Sequence, residues 1–294
     1  MWLLIGGDSE IGSLAYQSLK ARGVTAAATT RRKTHVTADR PFLDLSVPLE
    51  KWEPPSGTSA ACIFAAVARI EACEADPRAS AHVNVTQTLA LADRLLGRGI
   101  PVLFLSTNQV FDGTVPNVAA DAPHSPVTEY GRQKSRAEVG FFSRIEQGMP
   151  AAILRLAKIV SRDMPLLRDW SERLAAGQPI RAFSDMTMAP VETAMVCDAI
   201  AMLMKDAARG VFQLTGPRDV SYLEIGRHIA AELGAARSLV STGTTVEAGL
   251  PAGSGRMHTT LNSSRLRDGY GIMAPDVLSI VSSVITSGRK TGSQ

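Results

Sequence analysis

Aromatic side chains make up only 5% of this 294-residue chain, and cysteine occurs three times. Cys62, Cys73 and Cys197 are an odd number without metal-ligand spacing, so they read as buried, reduced thiols rather than a disulfide framework or a thiolate metal site. The histidines at 35, 82, 124, 228 and 258 are dispersed in the same way, which argues against a histidine-based metal centre. The formal net charge is only +3 and no long basic block occurs, so nucleic acid is not expected as the main partner. The opening M-W-L-L-I-G-G has no basic leader and too short an apolar run for a signal peptide, and no later run reaches membrane-spanning length. A soluble, cytoplasmic protein without a membrane partner is expected. No internal repeat is evident.

What is present in quantity is apolar surface: 45% hydrophobic residues over 294 positions can bury a large core. In the N-terminal half, short apolar runs alternate with helical patterns. Strands are expected at Trp2 to Ile5, Val24 to Thr29, Ala60 to Ala65, Val102 to Leu105 and Ala151 to Leu156. Helices are expected at Ile11 to Arg22, Ala79 to Gly97 and Tyr130 to Phe142. Such alternation predicts an α/β fold with a Rossmann-type, doubly wound parallel sheet, whose ligands gather at the carboxyl ends of the strands. Past residue 160 the pattern loosens into segments rich in Pro, Gly and Ser, with helices at Val191 to Asp206 and Tyr222 to Leu233, a strand at Val211 to Leu214, and a tail from Gly288 expected to fray. The division expected is a dinucleotide-binding domain over 1–160 and a smaller C-terminal substrate-binding domain over 161–294, with helix 191–206 open to exchange between them.

The first strand leads into I-G-G-D-S-E-I-G, where a dinucleotide-binding loop would sit. Gly6 and Gly12 fit the outer positions of G-x-x-G-x-x-G, and Ser9 takes the middle one, small enough to keep the backbone close to a pyrophosphate. Arg31 and Arg32 close the second strand, where a basic pair complements the 2′-phosphate of NADPH and an acidic residue would instead hold the ribose of NADH. Asp44 and Leu45 follow another turn and could contact the adenine, while Ala65, Ala66 and Val67 are small enough to let a cofactor cross the sheet edge. Tyr130 and Lys134 stand four residues apart, so they share one helical face about 5 to 6 Å apart at Cβ. The ammonium can then stabilise a phenolate, which makes Tyr130 a candidate general acid. Thr107, just past the apolar run Pro101 to Leu105, would supply a second hydroxyl to polarise a carbonyl.

In this order, S-T-N-Q-V-F-D-G at 106–113, T-E-Y-G-R-Q-K-S-R-A-E at 128–138, D-M-T-M-A-P-V and G-V-F-Q-L-T-G-P-R-D-V-S-Y-L-E-I resemble the extended short-chain dehydrogenase/reductases, and among them the dTDP-4-dehydrorhamnose reductase family. The resemblance runs over most of the chain. It implies an NADPH-dependent reductase of a nucleotide-linked keto sugar, with NADH as a possible substitute. It also implies Thr107, Tyr130 and Lys134 as the catalytic set, Tyr130 and Lys134 beside the cofactor, and Ser9, Glu10 and Ile11 on the pyrophosphate. Asn84 matches a helix asparagine that supports a water relay in related enzymes, but an asparagine there is more often a surface or capping residue and is not assigned a catalytic part. A homodimer is a possible assembly. Some relatives use magnesium, and Glu71, Glu74 and Asp76 cluster where a loop is expected; a solvated acidic loop is the preferred reading, so no metal ligand is assigned.

Three departures from the family pattern fall at the substrate. The family's Asp-Tyr after Ser-Thr is Asn108-Gln109 here, and Lys158 stands where the family has a tryptophan. The chemical set is retained while the recognition set is altered, so the resemblance implies a substrate other than dTDP-4-dehydrorhamnose. Two other functions stay open at this point: a sugar-nucleotide epimerase or dehydratase using the same tyrosine and lysine with tightly held NAD, and a non-catalytic NADP-binding subunit resembling the regulatory β-subunit of methionine adenosyltransferase.

Overall fold

The computed structural model describes residues 1–161, 164–250 and 255–291. Two compact units make up the chain. One comprises Met1–Phe111, Pro123–Leu156 and Val196–Gln213; the other comprises Asp112–Ala122, Ala157–Met195 and Leu214–Gln294. A single boundary at 160/161 does not describe this partition, because both units are discontinuous.

The first unit is built on β1 (Trp2–Ile5), β2 (Ala26–Ala28), β3 (Ala60–Ile63), β4 (Val102–Thr107), β5 (Ala151–Leu156) and, further along the chain, Gly210–Leu214. These form one sheet in which the last of them lies at one edge beside β5, followed by β4, β3, β1 and β2. Adjacent pairs from β2 through β5 are parallel. The strands read as unbroken apolar runs because both faces are covered: Leu3, Leu4 and Ile5 are all fully buried although successive side chains point to opposite faces. The chain leaves β1 for β2 on one side and later places β3 on the other, so the strand order reverses between β1 and β3. A crevice opens at such a point outside the carboxyl ends of the strands.

Helix α1 (Glu10–Ala21) packs on β1 and β2. Its start is set by Ser9, whose Oγ accepts from Gly12 N at 3.1 Å, an N-cap at the mouth of the crevice. Helices α2 (Ile70–Ala75) and α3 (Pro77–Ala81) follow β3, and α3 runs through a π-helical stretch, His82–Gln87, into α4 (Thr88–Leu96). One uninterrupted α-helix over 79–97 is therefore not what forms. The turn is widened where Thr88 Oγ1 donates to Val83 O, five residues back, and where Asn84 turns inward. Helix α5 (Glu129–Glu146) lies over β4 and β5, with Phe141 stacked on Phe104 at a centroid distance of 4.6 Å.

In the second unit, β6 (Ile159–Val160) pairs in parallel with Val191–Glu192, while α6 (Pro165–Ala175) precedes β7 (Ile180–Phe183) and β8 (Thr187–Met188). The segment expected to be helical from Val191 thus begins as strand β9, and α7 (Thr193–Lys205) starts two residues later. Strand β10 (Gly210–Leu214) completes the large sheet of the first unit. Strand β11 (Val220–Ser221) pairs with β8, helix α8 (Tyr222–Leu233) follows, and β12 (Val240–Gly243) pairs with β7. Then come α9 (Ser264–Tyr270) and α10 (Val277–Thr291). A separate core forms here around Leu167, Trp170, Ile225, Ile229, Ile280 and Val281. The tail expected to fray from Gly288 is helical to Thr291, and residues 292–294 lie outside the described residues. No described helix is long and apolar enough to cross a membrane.

Candidate active site

The crevice between β1 and β3 is a cleft of about 570 Å³. Gly6, Ser9, Arg31, Asp44, Leu45 and the Ala65–Val67 loop line it. Its closeness is a matter of glycine. Gly6 has φ +100°, and a Cβ there would lie 2.6 Å from Ala65 N; a Cβ on Gly7 would lie 2.6 Å from the Ala28 methyl, and one on Gly12 only 2.4 Å from Gly6 O. Gly12 therefore packs the first turn of α1 against the loop and does not line the cleft. Glu10 and Ile11 form that turn, where amides lack intrahelical acceptors. Leu45 is buried in the core, and Asp44 Oδ1 accepts from Ser46 N to shape the turn beside it.

Asp8 and Arg69 also line the cleft. Neither stands out in the sequence, because each is defined by what the chain folds beside it. Asp8 reaches across to the end of β2, where Thr30 Oγ1 and Arg31 N donate to its carboxylate and Arg40 Nη2 pairs with it at 2.8 Å. Arg31 and Arg32 are both exposed, and only Arg31 lines the cleft; Arg32 N donates to Thr30 Oγ1.

The second part of the site is the contact of α5 with the end of β4. Thr107 ends the strand and caps the short 3-10 turn Asn108–Val110, its Oγ1 accepting from Gln109 N at 3.2 Å. Gly131 abuts that turn so closely that a Cβ would lie 2.3 Å from Gln109 O. One turn farther along α5, the buried Lys134 donates from Nζ to Leu105 O at 2.8 Å and lies over the Phe104 ring. Tyr130, between Glu129 and Gly131, is thereby carried to the end of β4 where Thr107 stands. Burial depresses the Lys134 ammonium to about 8, opposed by the charges of Glu138 and Cys73. Burial, with a smaller push from Cys73, raises the Tyr130 hydroxyl well above its ordinary range. Desolvation outweighs the expected lowering of Tyr130 by Lys134, whose ammonium gives one of its three N–H donors to Leu105 O.

Beneath this contact lies a polar network that no local sequence motif announces. Glu138 and Arg155 are both fully buried and paired at 2.7 Å. Glu138 also accepts from Ser106 Oγ, the neighbour of Thr107, and Arg155 Nη1 donates to Gln213 Oε1 at 3.0 Å. His124 Nε2 stands 3.2 Å from Glu138 Oε2 and its Nδ1 is 2.8 Å from Ser135 Oγ. The available signal was Glu138 itself, four residues beyond Lys134 on the same helical face.

Asn84 is neither a surface residue nor a cap. It is buried and brackets the cleft loop: Val67 N donates to Oδ1 at 2.7 Å, and Nδ2 donates to Val67 O at 2.9 Å and to Gln133 Oε1 at 2.7 Å. The cleft loop and α5 are thereby tied through one side chain. The acidic cluster is not a loop either. Glu71 and Glu74 lie on α2 and Asp76 ends it; Asp76 Oδ1 caps α3, and Glu74 Oε1 accepts from Glu129 N at the start of α5. Among the described residues no three His, Cys, Asp or Glu side chains gather as metal ligands would. The three cysteines are free and buried.

Of the candidate substrate residues, Asn108 is buried in the turn after Thr107, and Gln109 is half-buried with Oε1 lacking a hydrogen-bond partner. Lys158 belongs to the second unit; its side chain is exposed and its carbonyl accepts from Val191 N.

Residues 1–289 match the family model described as the RmlD substrate binding domain. The chain is 27% identical over 219 residues to a probable low-salt glycan biosynthesis reductase of Haloferax volcanii, covering 72% of this chain and 71% of that one. It is 27% identical over 236 residues to a dTDP-4-keto-6-deoxy-D-glucose reductase of Streptomyces niveus, covering 80% and 79%. In fold it is similar to a dTDP-4-dehydrorhamnose reductase structure from Clostridium acetobutylicum, with a TM-score of 0.83 at 19% identity over 98% of this chain and all of that one.

Proposed function

The chain belongs to the RmlD substrate-binding-domain family, and on that premise we propose that it is a nicotinamide-dependent reductase of a nucleotide-linked keto sugar. The reductases similar to it in sequence support the reaction class. The cleft between β1 and β3 suits a dinucleotide on its own geometry: glycines that no side chain could replace, small residues at 65 and 66, and the free amides of the first turn of α1. Gly6, Ser9, Glu10, Ile11 and the Ala65–Val67 loop would hold the pyrophosphate and nicotinamide end, and Asp44 and Leu45 the adenine. Arg31, with Arg32 behind it, would meet a 2′-phosphate, so NADPH is the proposed cofactor and NADH a usable one.

The contact that carries the proposal is Lys134 Nζ on Leu105 O, which fastens the tyrosine-bearing turn of α5 to the strand that ends in Thr107. The nicotinamide, when bound, supplies the hydride to the keto carbon. Tyr130, protonated at neutral pH, would give its proton to the substrate oxygen as charge builds there. Thr107 donates a hydrogen bond to the same oxygen, a fixed dipole aimed at developing negative charge. Lys134, still charged at neutral pH, would stabilise the tyrosinate left behind and would hold the nicotinamide ribose. Asn108 and Gln109, beside Thr107, would face a more polar sugar than rhamnose-type substrates carry, and dTDP-4-dehydrorhamnose is expected to react poorly; Lys158, in the second unit, is proposed as a further substrate contact. The test is oxidation of NADPH by the purified protein against a panel of keto-sugar nucleotides. Turnover with one or more of them, and a weak response to dTDP-4-dehydrorhamnose, is the expected result; no oxidation across the panel would count against reduction altogether.

A further inference from the structure

The end of β2 is an anion cradle that already holds an anion. Thr30 Oγ1 donates to Asp8 from 3.0 and 2.9 Å of its two oxygens, Arg31 N donates at 3.0 Å, and Arg40 Nη2 pairs at 2.8 Å. A hydroxyl, a backbone amide and a guanidinium converging on one point are the donor set that a phosphate takes. Arg40 meets the cradle through Nη2, which Asp8 takes, while its Nε is buried without a hydrogen-bond partner. The backbone beneath Asp8 is strapped down. Gly7 N donates to Thr29 O and Gly6 N to Thr29 Oγ1, both at 2.9 Å, and the residue 39–43 segment is laid beside Thr30 by Thr30 N on Pro41 O and Leu43 N on Thr30 O. Asp8 cannot withdraw with its loop; its carboxylate can only rotate away. Burial alone would raise this carboxyl, but the Arg31 amide, the Thr30 hydroxyl and the charges of Arg40 and Arg32 outweigh it and hold the group below the usual carboxylate range, so it is an anion at every working pH.

We propose that the Asp8 carboxylate is an internal occupant of the cradle at the end of β2, competing with the 2′-phosphate of NADPH and thereby limiting how strongly this chain prefers NADPH over NADH. A 2′-phosphate entering beside Arg31 meets a like charge and finds the amide, the hydroxyl and Arg40 already engaged, whereas a free 2′-hydroxyl meets a carboxylate that can accept its proton. The basic run at 31–33 and Asp8 thus pull in opposite directions, and a sequence reading that sees only the run overstates the preference. This rests on the cofactor placement proposed above.

The test measures binding, not turnover, with 2′,5′-ADP and 5′-AMP, which differ only in the 2′-phosphate, by calorimetric titration of the unmutated protein, Asp8→Asn and Asp8→Ser. In the unmutated protein the two nucleotides should bind within about tenfold of each other. Both variants should bind 2′,5′-ADP about tenfold more tightly or better, with 5′-AMP unchanged or weaker. A preference of about a hundredfold or more for 2′,5′-ADP in the unmutated protein would overturn the inference whether or not the variants fold. So would 5′-AMP binding retained in variants that gain nothing toward 2′,5′-ADP, and that result leaves the cofactor placement standing. Failure of the unmutated protein to bind either nucleotide overturns the placement and this inference with it.

Discussion

The contact of α5 with β4 and the end of β2 are both parts of the proposed site, yet they are held by different means. At the first, Lys134, Glu138 and Arg155 are buried and every one has a partner inside the fold: Leu105 O, Ser106, Gln213 and each other. At the second, the side chains of Arg31 and Arg32 are exposed, and the ion pair joins Asp8 to the half-buried Arg40. Groups that must sit within a few tenths of an ångström of a reacting atom are fixed by desolvated networks whose loss is expensive. The groups proposed to choose between two cofactors sit nearer the solvent, where a change of charge is better tolerated. On the proposed function, chemistry is thus tied to stability, while selectivity is free to vary.

The largest expected effect breaks the first region. Glu138→Gln leaves Arg155 buried beside a neutral amide, and unfolding in denaturant should show a loss of about 3–5 kcal/mol. A change below about 1 kcal/mol would show that the network does not brace the α5 contact. Next, Gly6→Ala forces a side chain into a backbone at φ +100° and within 2.6 Å of Ala65 N, so stability should fall by about 1–3 kcal/mol and nucleotide titration should weaken with it. Tight binding in that variant would contradict the close-approach account of the loop.

A smaller effect sharpens the comparison through pH. Because burial depresses Lys134 to about 8, single-turnover reduction should fall as pH rises through that value and the ammonium is lost. The folded value lies below the ordinary 10.5, so between the two the unfolded chain binds more protons and the Lys134 contribution to stability rises with pH. A rate that falls while stability from this group does not is the mark of titration rather than unfolding. Since the Glu138 charge raises Lys134, the midpoint of the pH profile should move down in Glu138→Gln; an unmoved midpoint would separate the two residues.

How much of this was legible in the chain follows the same division. Strands β1 and β5 and helix α8 run over the same residues as expected from apolar runs and helical periodicity, because strands covered on both faces leave an unambiguous pattern. Val191–Glu192 was hidden at the head of α7, since two residues of strand carry no period of their own. The break at His82–Gln87 was hidden because it answers to a distant loop: Asn84 turns inward to meet Val67, and nothing within the helix calls for it. At the site, Gly6, Ser9 and the 65–67 loop were readable as a local motif. Asp8, Arg40 and the Glu138–Arg155 pair were not, because Asp8 and Arg40 meet across 32 residues of chain and Glu138 and Arg155 across 17.

The most direct test of the central claim is Tyr130→Phe, which removes one hydroxyl and almost no volume. With the panel substrate that the unmutated protein reduces best, single-turnover reduction should fall by about 10² or more while calorimetric titration with NADPH stays close to that of the unmutated protein. A Phe variant that reduces the substrate at an undiminished rate would contradict the assignment of Tyr130 as the proton donor, and with it the chemistry proposed for this fold.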